Sequence, residues 1–149
     1  MDELAIITQD YYKAISYNAE TAPEANDLSI LFYGKGVLIN NAFADPLVYD
    51  TESYIEALSA QIANDEVEQL TQREIYGKSN IFGRIAQRVS AYEYNYTDHE
   101  EFGQLPRGIA YLQYIKVDDN WRIVSITWCD ENENHIIPAE YLGQSVVEE

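Results

Sequence analysis

The chain has 149 residues, with 26 acidic against 9 basic side chains and a formal net charge of −17. That balance leaves no basic stripe able to displace counterions from nucleic acid, and it disfavours anionic membrane surfaces. An apolar fraction of 46%, with 13 tyrosines, excludes a disordered chain and suits one domain over 1–149 with its own core.

The lone Cys129 excludes an internal disulfide and a thiolate metal cluster, and its place beside Trp128 at a strand end suits packing better than nucleophilic work. Met1-Asp2-Glu3-Leu4 lacks the cationic start of a secretory signal, and no apolar run nears the roughly 20 residues of a bilayer span, so a cytoplasmic protein is expected.

In chain order, Leu4, Ile7, Tyr11, Ala14, Ile15 and Asn18 recur at helical spacing and predict an amphipathic first helix from Asp2 to about Asn18. Ala19–Asn26, with Pro23, reads as a loop. Asp27 is the expected cap of a short second helix reaching Phe32, which Gly34 and Gly36 stop. Gly34-Lys35-Gly36 lacks the spacing of a phosphate loop and reads as a turn. Val37-Leu38-Ile39 predicts a buried strand, followed by a loop around Asp45-Pro46. Asp50 suits the N-cap of a third helix with Tyr54, Leu58, Gln61 and Ile62 on one face, ending near Asn64.

From Val67 the pattern turns to strand. Arg73–Phe82, a tight turn at Gly83-Arg84 and Ile85–Tyr96 predict one hairpin. Thr97–Pro106 is a polar connection, and 106–130 predict a second hairpin about a polar turn at Asp118-Asp119-Asn120. The tail from Asn132 is mostly loop, anchored by Ile136-Ile137-Pro138 and Tyr141-Leu142, with disorder expected from about 143. Helices first and strands later point to α+β, with helices on one face of an antiparallel sheet.

Several local runs, in this order, carry a family resemblance. Asp27-Leu-Ser-Ile-Leu-Phe-Tyr33 before Val37-Leu-Ile39, Phe82-Gly-Arg-Ile-Ala86 with Ser90-Ala-Tyr-Glu93, Arg107-Gly-Ile-Ala-Tyr-Leu-Gln113, Trp121-Arg-Ile-Val-Ser125 and Ile137-Pro-Ala-Glu-Tyr-Leu142 resemble the nuclear transport factor 2-like superfamily, in its SnoaL-like branch. The resemblance covers about Leu4 to Leu142. It implies a cone: a curved antiparallel sheet wrapped around three N-terminal helices, with an internal pocket. If the last hairpin closes tightly, Tyr111 and Gln113 share the inner face with Val124, Ile126, Trp128 and Asp130, and Tyr12, Phe32 and Tyr54 close the cavity.

Ketosteroid isomerase, an enzyme of this superfamily, sets an aspartate base near the end of the first strand, with a tyrosine and a protonated carboxyl across the pocket. Matched by position, the resemblance puts Tyr12 at the tyrosine, Asn40 at the base and Gln113 at the acid. Asn40 has no basic carboxylate, so proton abstraction from carbon is not expected, while Tyr12 and Gln113 can still donate to a carbonyl. Limonene epoxide hydrolase uses an aspartate, arginine, aspartate set, of which Arg107 with Glu93 and Asp130 is a loose analogue; a salt bridge near a strand end is the plainer expectation. Scytalone dehydratase relies on pocket histidines, whereas His99 and His135 fall in polar loops. Asp130, Glu131 and Glu133 offer at most a loose hard-cation site, and no metal or cofactor is expected.

Three readings stay open. The first is a binding protein for a small, mainly apolar ligand bearing a carbonyl or hydroxyl, with ligand-binding residues Tyr12, Phe32, Asn40, Tyr54, Tyr111, Gln113, Ile126 and Trp128. The second is an isomerase, cyclase or hydrolase with Asp130 or Glu93 as base. The third is a dimeric accessory domain with a filled pocket. A homodimer across the outer sheet faces is expected by analogy, burying Tyr92, Tyr94 and Tyr96.

Overall fold

Capping chemistry sets where the helices begin. In the computed structural model, which describes residues 2–18, 20–64, 69–96 and 105–143, the Asp2 carboxylate accepts from the Ala5 amide at 2.7 Å and opens α1, Glu3–Ala14. The helix ends earlier than its periodicity suggests, because Tyr17 leaves it to exchange both backbone hydrogen bonds with Leu70, at 2.8 and 2.9 Å. The second helix, α2, spans Ala25–Ser29, starting before Asp27 and stopping short of Phe32; Glu24 stands at its N-cap without a side-chain bond. Asp50 caps α3, Thr51–Ala63, in a reciprocal box with Ser53, as its position in the sequence implies.

Phe32 starts a strand rather than ending a helix. In β1, Phe32–Asn40, Gly34 and Gly36 adopt φ of 64° and 71° inside a bulge between Phe32 and Val37, and a Cβ on Gly36 would overlap the Phe32 ring. The loop expected around Asp45-Pro46 runs into a short edge strand, β2, Leu47–Tyr49. The hairpins follow as β3 (Thr71–Phe82) with β4 (Ile85–Asn95), and β5 (Arg107–Val117) with β6 (Asn120–Asp130).

The six strands form one curved, open sheet in the order β2-β1-β6-β5-β4-β3. It is mixed rather than antiparallel throughout, since β1 runs parallel to β6. The architecture is an α+β cone with the helices on its inner face. Its sealed part holds Tyr11, Tyr12, Ile15, Leu28, Leu38, Leu112, Tyr114, Ile123 and Ile126. After β6 the chain turns through an Asn132–His135 bridge into a short 3-10 turn, Ala139–Leu142, against β3 and β4. The connection at 97–104, with His99, and the tail at 144–149 lie outside the described residues. Among the described residues, no helix is long and apolar enough to cross a membrane.

Candidate functional site

Register decides which side chains face the helices. The last hairpin turns on two residues, Asp118 and Asp119, at φ of 50° and 65°, so that Val117 pairs with Asn120. A strictly two-residue hairpin keeps Tyr111 and Gln113 on the face of Ile126 and Trp128. It does not stay strict: Tyr114 pairs with Ile123 but Gln113 with Ser125, leaving Val124 as an extra residue. One inserted residue reverses the facing of everything beyond it. Leu112 therefore lies opposite Ile126, Ala110 opposite Trp128 and Gly108 opposite Asp130, all facing in. Tyr111, 59% exposed, and Gln113 point out.

This corrects the expected pocket wall. Tyr12 is inside, fully buried, and Gln113 is on the opposite side of the sheet, so the two cannot hold one carbonyl between them. The Tyr12 hydroxyl is also engaged, 2.8 Å from Ser90 Oγ, which donates to Glu74 Oε2 at 2.6 Å. Glu74 in turn takes both arms of the buried Arg88 guanidinium, at 3.0 and 2.6 Å, and Arg88 donates to Ser79 at 2.7 Å. Beside this chain, Thr8 and Tyr114 hydroxyls meet at 2.6 Å. Burial and the nearby Glu74 charge push the Tyr12 phenol well above its ordinary value, against the Ser90 bond. This part of the cone is a closed structural network. Gly77 makes room for it, since a Cβ there would overlap the Arg88 guanidinium and the Glu74 carboxylate.

A different polar centre lies further along the same face. Tyr92 pairs with Gly108, and Gly108 with Asp130, so a residue without a side chain stands between a phenol and a carboxylate. The Tyr92 ring lies over that gap and donates to Asp130 Oδ1 at 2.6 Å; a Cβ on Gly108 would strike the Tyr92 hydroxyl. Tyr94, next on the face, donates to Asp130 Oδ2 at 3.1 Å and stacks on Tyr92, with ring centroids 6.2 Å apart. The aromatic surface continues through Tyr96, 5.3 Å from Tyr94, and on the helix side Tyr54 lies 5.6 Å from Trp128 and 5.2 Å from Tyr49.

Burial first, and then the Asp130 charge, holds the Tyr92, Tyr94 and Tyr96 phenols above their ordinary range, and burial with the neighbouring Tyr49 and Tyr96 ahead of Asp130 does the same for Tyr54. Asp130, Trp128, Tyr54 and Tyr94 are half-buried, unlike the sealed residues around Tyr12. The arrangement offers a hydrogen-bond acceptor, oriented by two phenols, within an aromatic surface that solvent reaches.

The remaining expected residues separate. Asn40 faces in beside Trp128, with its Oδ1 accepting from the Ala42 amide at 3.0 Å. Ile126 and Phe32 are core residues, Phe32 packing 6.3 Å from Tyr11. Glu93 faces out and pairs with Arg73 at 2.6 Å, on the other side of the sheet from Asp130. Arg107 holds Glu131 at 2.6 and 3.3 Å, which with the Ile137 amide at 2.7 Å lowers the Glu131 carboxyl below its usual range. Arg107, Glu93 and Asp130 therefore do not form one set.

Tyr92 and Tyr94, expected on an outer interface, face inward, and Tyr92 is 1% exposed. Cys129 is half-buried on the outer side, and His135 is exposed in its loop. The outer face carries two shallow cavities. One, of about 430 Å³, is lined by Gln113, Val124, Ile85 and Phe82; the other, of about 360 Å³, by Tyr111, Ile109, Ile136 and Pro138, and it also touches Trp128 and Asp130 at the end of β6. Sequence reasoning missed Tyr92, Tyr94, Glu74 and Arg88 as inward residues. The available signal was the alternation Arg88, Ser90, Tyr92, Tyr94, with Gly108 on the neighbouring strand.

No family model and no curated protein matches the chain. Solved structures do. An NTF-2 like protein of unknown function from Silicibacter pomeroyi is 18% identical, with a TM-score of 0.59 over 87% of this chain and 93% of its own. A Kribbella flavida protein is 13% identical, with a TM-score of 0.67 over 87% and 89%. An uncharacterized protein with a cystatin-like fold from Caulobacter vibrioides is 14% identical, with a TM-score of 0.65 over 89% and 90%. At these identities the likeness establishes the fold, which is nuclear transport factor 2-like, and nothing finer.

Proposed function

We propose that this chain is a small-molecule-binding protein whose site is the half-buried aromatic end of the cone, with Asp130 as its polar anchor. The observation that carries this reading is the Tyr92–Asp130–Tyr94 centre, at 2.6 and 3.1 Å, within partly solvent-exposed rings. A carboxylate already receiving two phenol protons recognises a group that donates. The ligand is thus a mainly apolar compound bearing a hydroxyl or other donor, rather than a ketone.

Rings of this size supply most of the affinity by area, and the carboxylate fixes orientation. Catalysis is the second reading, and it retains Asp130 alone as a base, because Glu93 stands on the outer face paired with Arg73. The reading keeps the SnoaL-like branch, a cytoplasmic setting and a homodimer. For the dimer, exposed Tyr111 and Ile85 on the outer face are the apolar contribution, in place of Tyr92 and Tyr94. Sedimentation or light scattering decides that point.

A thermal-shift panel of matched apolar alcohols, amines and ketones tests the binding reading. Donor-bearing compounds raise the melting temperature of the wild type, and less so that of Trp128→Ala. A response confined to ketones, or equal responses in both proteins, refutes it.

A further inference from the structure

Asp130 is a carboxylate on the inner face whose bonded partners among the described residues, Tyr92 and Tyr94, are both neutral phenols. Other inward or strand-end carboxylates have a cation of the chain itself: Glu74 has Arg88, Glu93 has Arg73 and Glu131 has Arg107. The difference is chemical rather than a matter of position, for the strand rows carrying these pairs adjoin one another. Phenol bonds orient the Asp130 oxygens, and among the described residues no cation is paired with it.

Around it stand rings whose π-faces attract positive charge. Trp128 stands two residues from Asp130 on the same face of β6 and meets Tyr54 edge to face at 5.6 Å, while Tyr96 lies 5.3 Å from Tyr94, which is itself bonded to Asp130. Rings in two orientations about one carboxylate suit a compact cation better than a flat neutral ring. The net charge of −17 adds a long-range field that gathers cations and repels anions.

We propose that the site takes an organic ammonium ion: an amine protonated at neutral pH on an apolar frame, its nitrogen against Asp130 and its carbon substituents against Trp128, Tyr54, Tyr94 and Tyr96. This rests on the reading that the aromatic end of the cone is a ligand site, and it names the ligand's charge. The phenols then have a definite part. Held by Asp130, Tyr92 and Tyr94 turn their hydroxyl protons to the carboxylate, and the half-buried Tyr94 leaves part of its ring for the ligand, while Tyr92 is sealed behind it. No bond is made or broken, and the amine leaves unchanged.

Phenethylamine and 2-phenylethanol share one frame and differ in ammonium against hydroxyl, so they separate the two claims. Their affinities are measured by calorimetry, with the indole resonance of Trp128 followed by NMR. The expected result is that phenethylamine shifts the Trp128 signal and binds about tenfold or more tightly than the alcohol. Asp130→Asn removes that preference, and added salt weakens the amine alone. If the substitution unfolds the chain, the salt dependence of the two wild-type affinities decides between the same outcomes. Equal, salt-independent binding of both probes with a Trp128 shift overturns the ammonium inference and leaves the site standing. No Trp128 shift with either probe overturns both.

Discussion

Replacing Arg88 by methionine tests the claim that the narrow part of the cone is a closed structural network rather than a pocket. Arg88 is 6% exposed and gives Glu74 two hydrogen bonds, at 3.0 and 2.6 Å, and Ser79 a third, at 2.7 Å. Methionine fills much of the same volume but strands the Glu74 carboxylate, whose remaining bond comes from Ser90 at 2.6 Å. Breaking a buried pair from one side costs about 3–5 kcal/mol, a large share of the roughly 5–15 kcal/mol that holds a domain together.

Replacing both partners, Arg88→Met with Glu74→Leu, removes the stranded charge and leaves only the Ser79 and Ser90 hydroxyls to satisfy, each worth about 1 kcal/mol. The double variant is therefore more stable than Arg88→Met by about 1–3 kcal/mol. Urea unfolding followed by circular dichroism measures both. If Arg88→Met loses less than about 1 kcal/mol, or the double variant is the weaker, the pair is not buried as described.

Three further outcomes follow from the same geometry. Gly108→Ala places a methyl where the Tyr92 hydroxyl lies, pushing the ring off Asp130 and costing about 1–3 kcal/mol; an unchanged urea midpoint contradicts the contact. Asp119→Gly, at φ of 65° in the last hairpin turn, raises stability by about 1 kcal/mol in the same assay, because glycine adopts that conformation without strain.

The third concerns alkaline pH. Tyr11, Tyr12, Tyr92 and Tyr114 titrate above the ordinary phenol value in the folded chain, chiefly through burial. Their stabilisation is complete below the unfolded value of about 10 and is lost as pH rises toward the folded values, by about 1.4 kcal/mol per pH unit for each group. Tyrosinate absorbance and circular dichroism then change together in one cooperative step. Smooth ionisation near the ordinary value with the fold retained contradicts this burial.

Element type was legible wherever local chemistry dominates. Asp50 with Ser53 fixes the start of α3, and the alternation from Arg73 to Asn95 gives a hairpin without knowledge of its neighbours. The boundaries of α1 and α2 were not, because the exit of α1 is set by the Tyr17–Leu70 bridge and that of α2 by Phe32 pairing with Ile123, both long-range contacts.

The site was half legible for one physical reason. Parity on β6 alone correctly puts Ile126, Trp128 and Asp130 on one face, but carrying parity across the turn to Tyr111 and Gln113 requires an unbroken ladder, and Val124 breaks it. Nothing local marks that valine as a bulge. The same strand logic applied to β4 gave Tyr92, Tyr94 and Tyr96 one face, and the dimer analogy then put that face outside. The choice is made by Gly108 and Asp130 across the sheet.

The central claim is that the polar anchor of the ligand site is Asp130 on the inner face. A crystal structure with a bound compound from the thermal-shift panel tests it most directly. The account predicts a ligand against Tyr54 and Trp128 with its donor within about 3.2 Å of an Asp130 oxygen. A ligand held at the outer face by Tyr111 or Gln113, with the Asp130 carboxylate bonded only to Tyr92 and Tyr94, contradicts it.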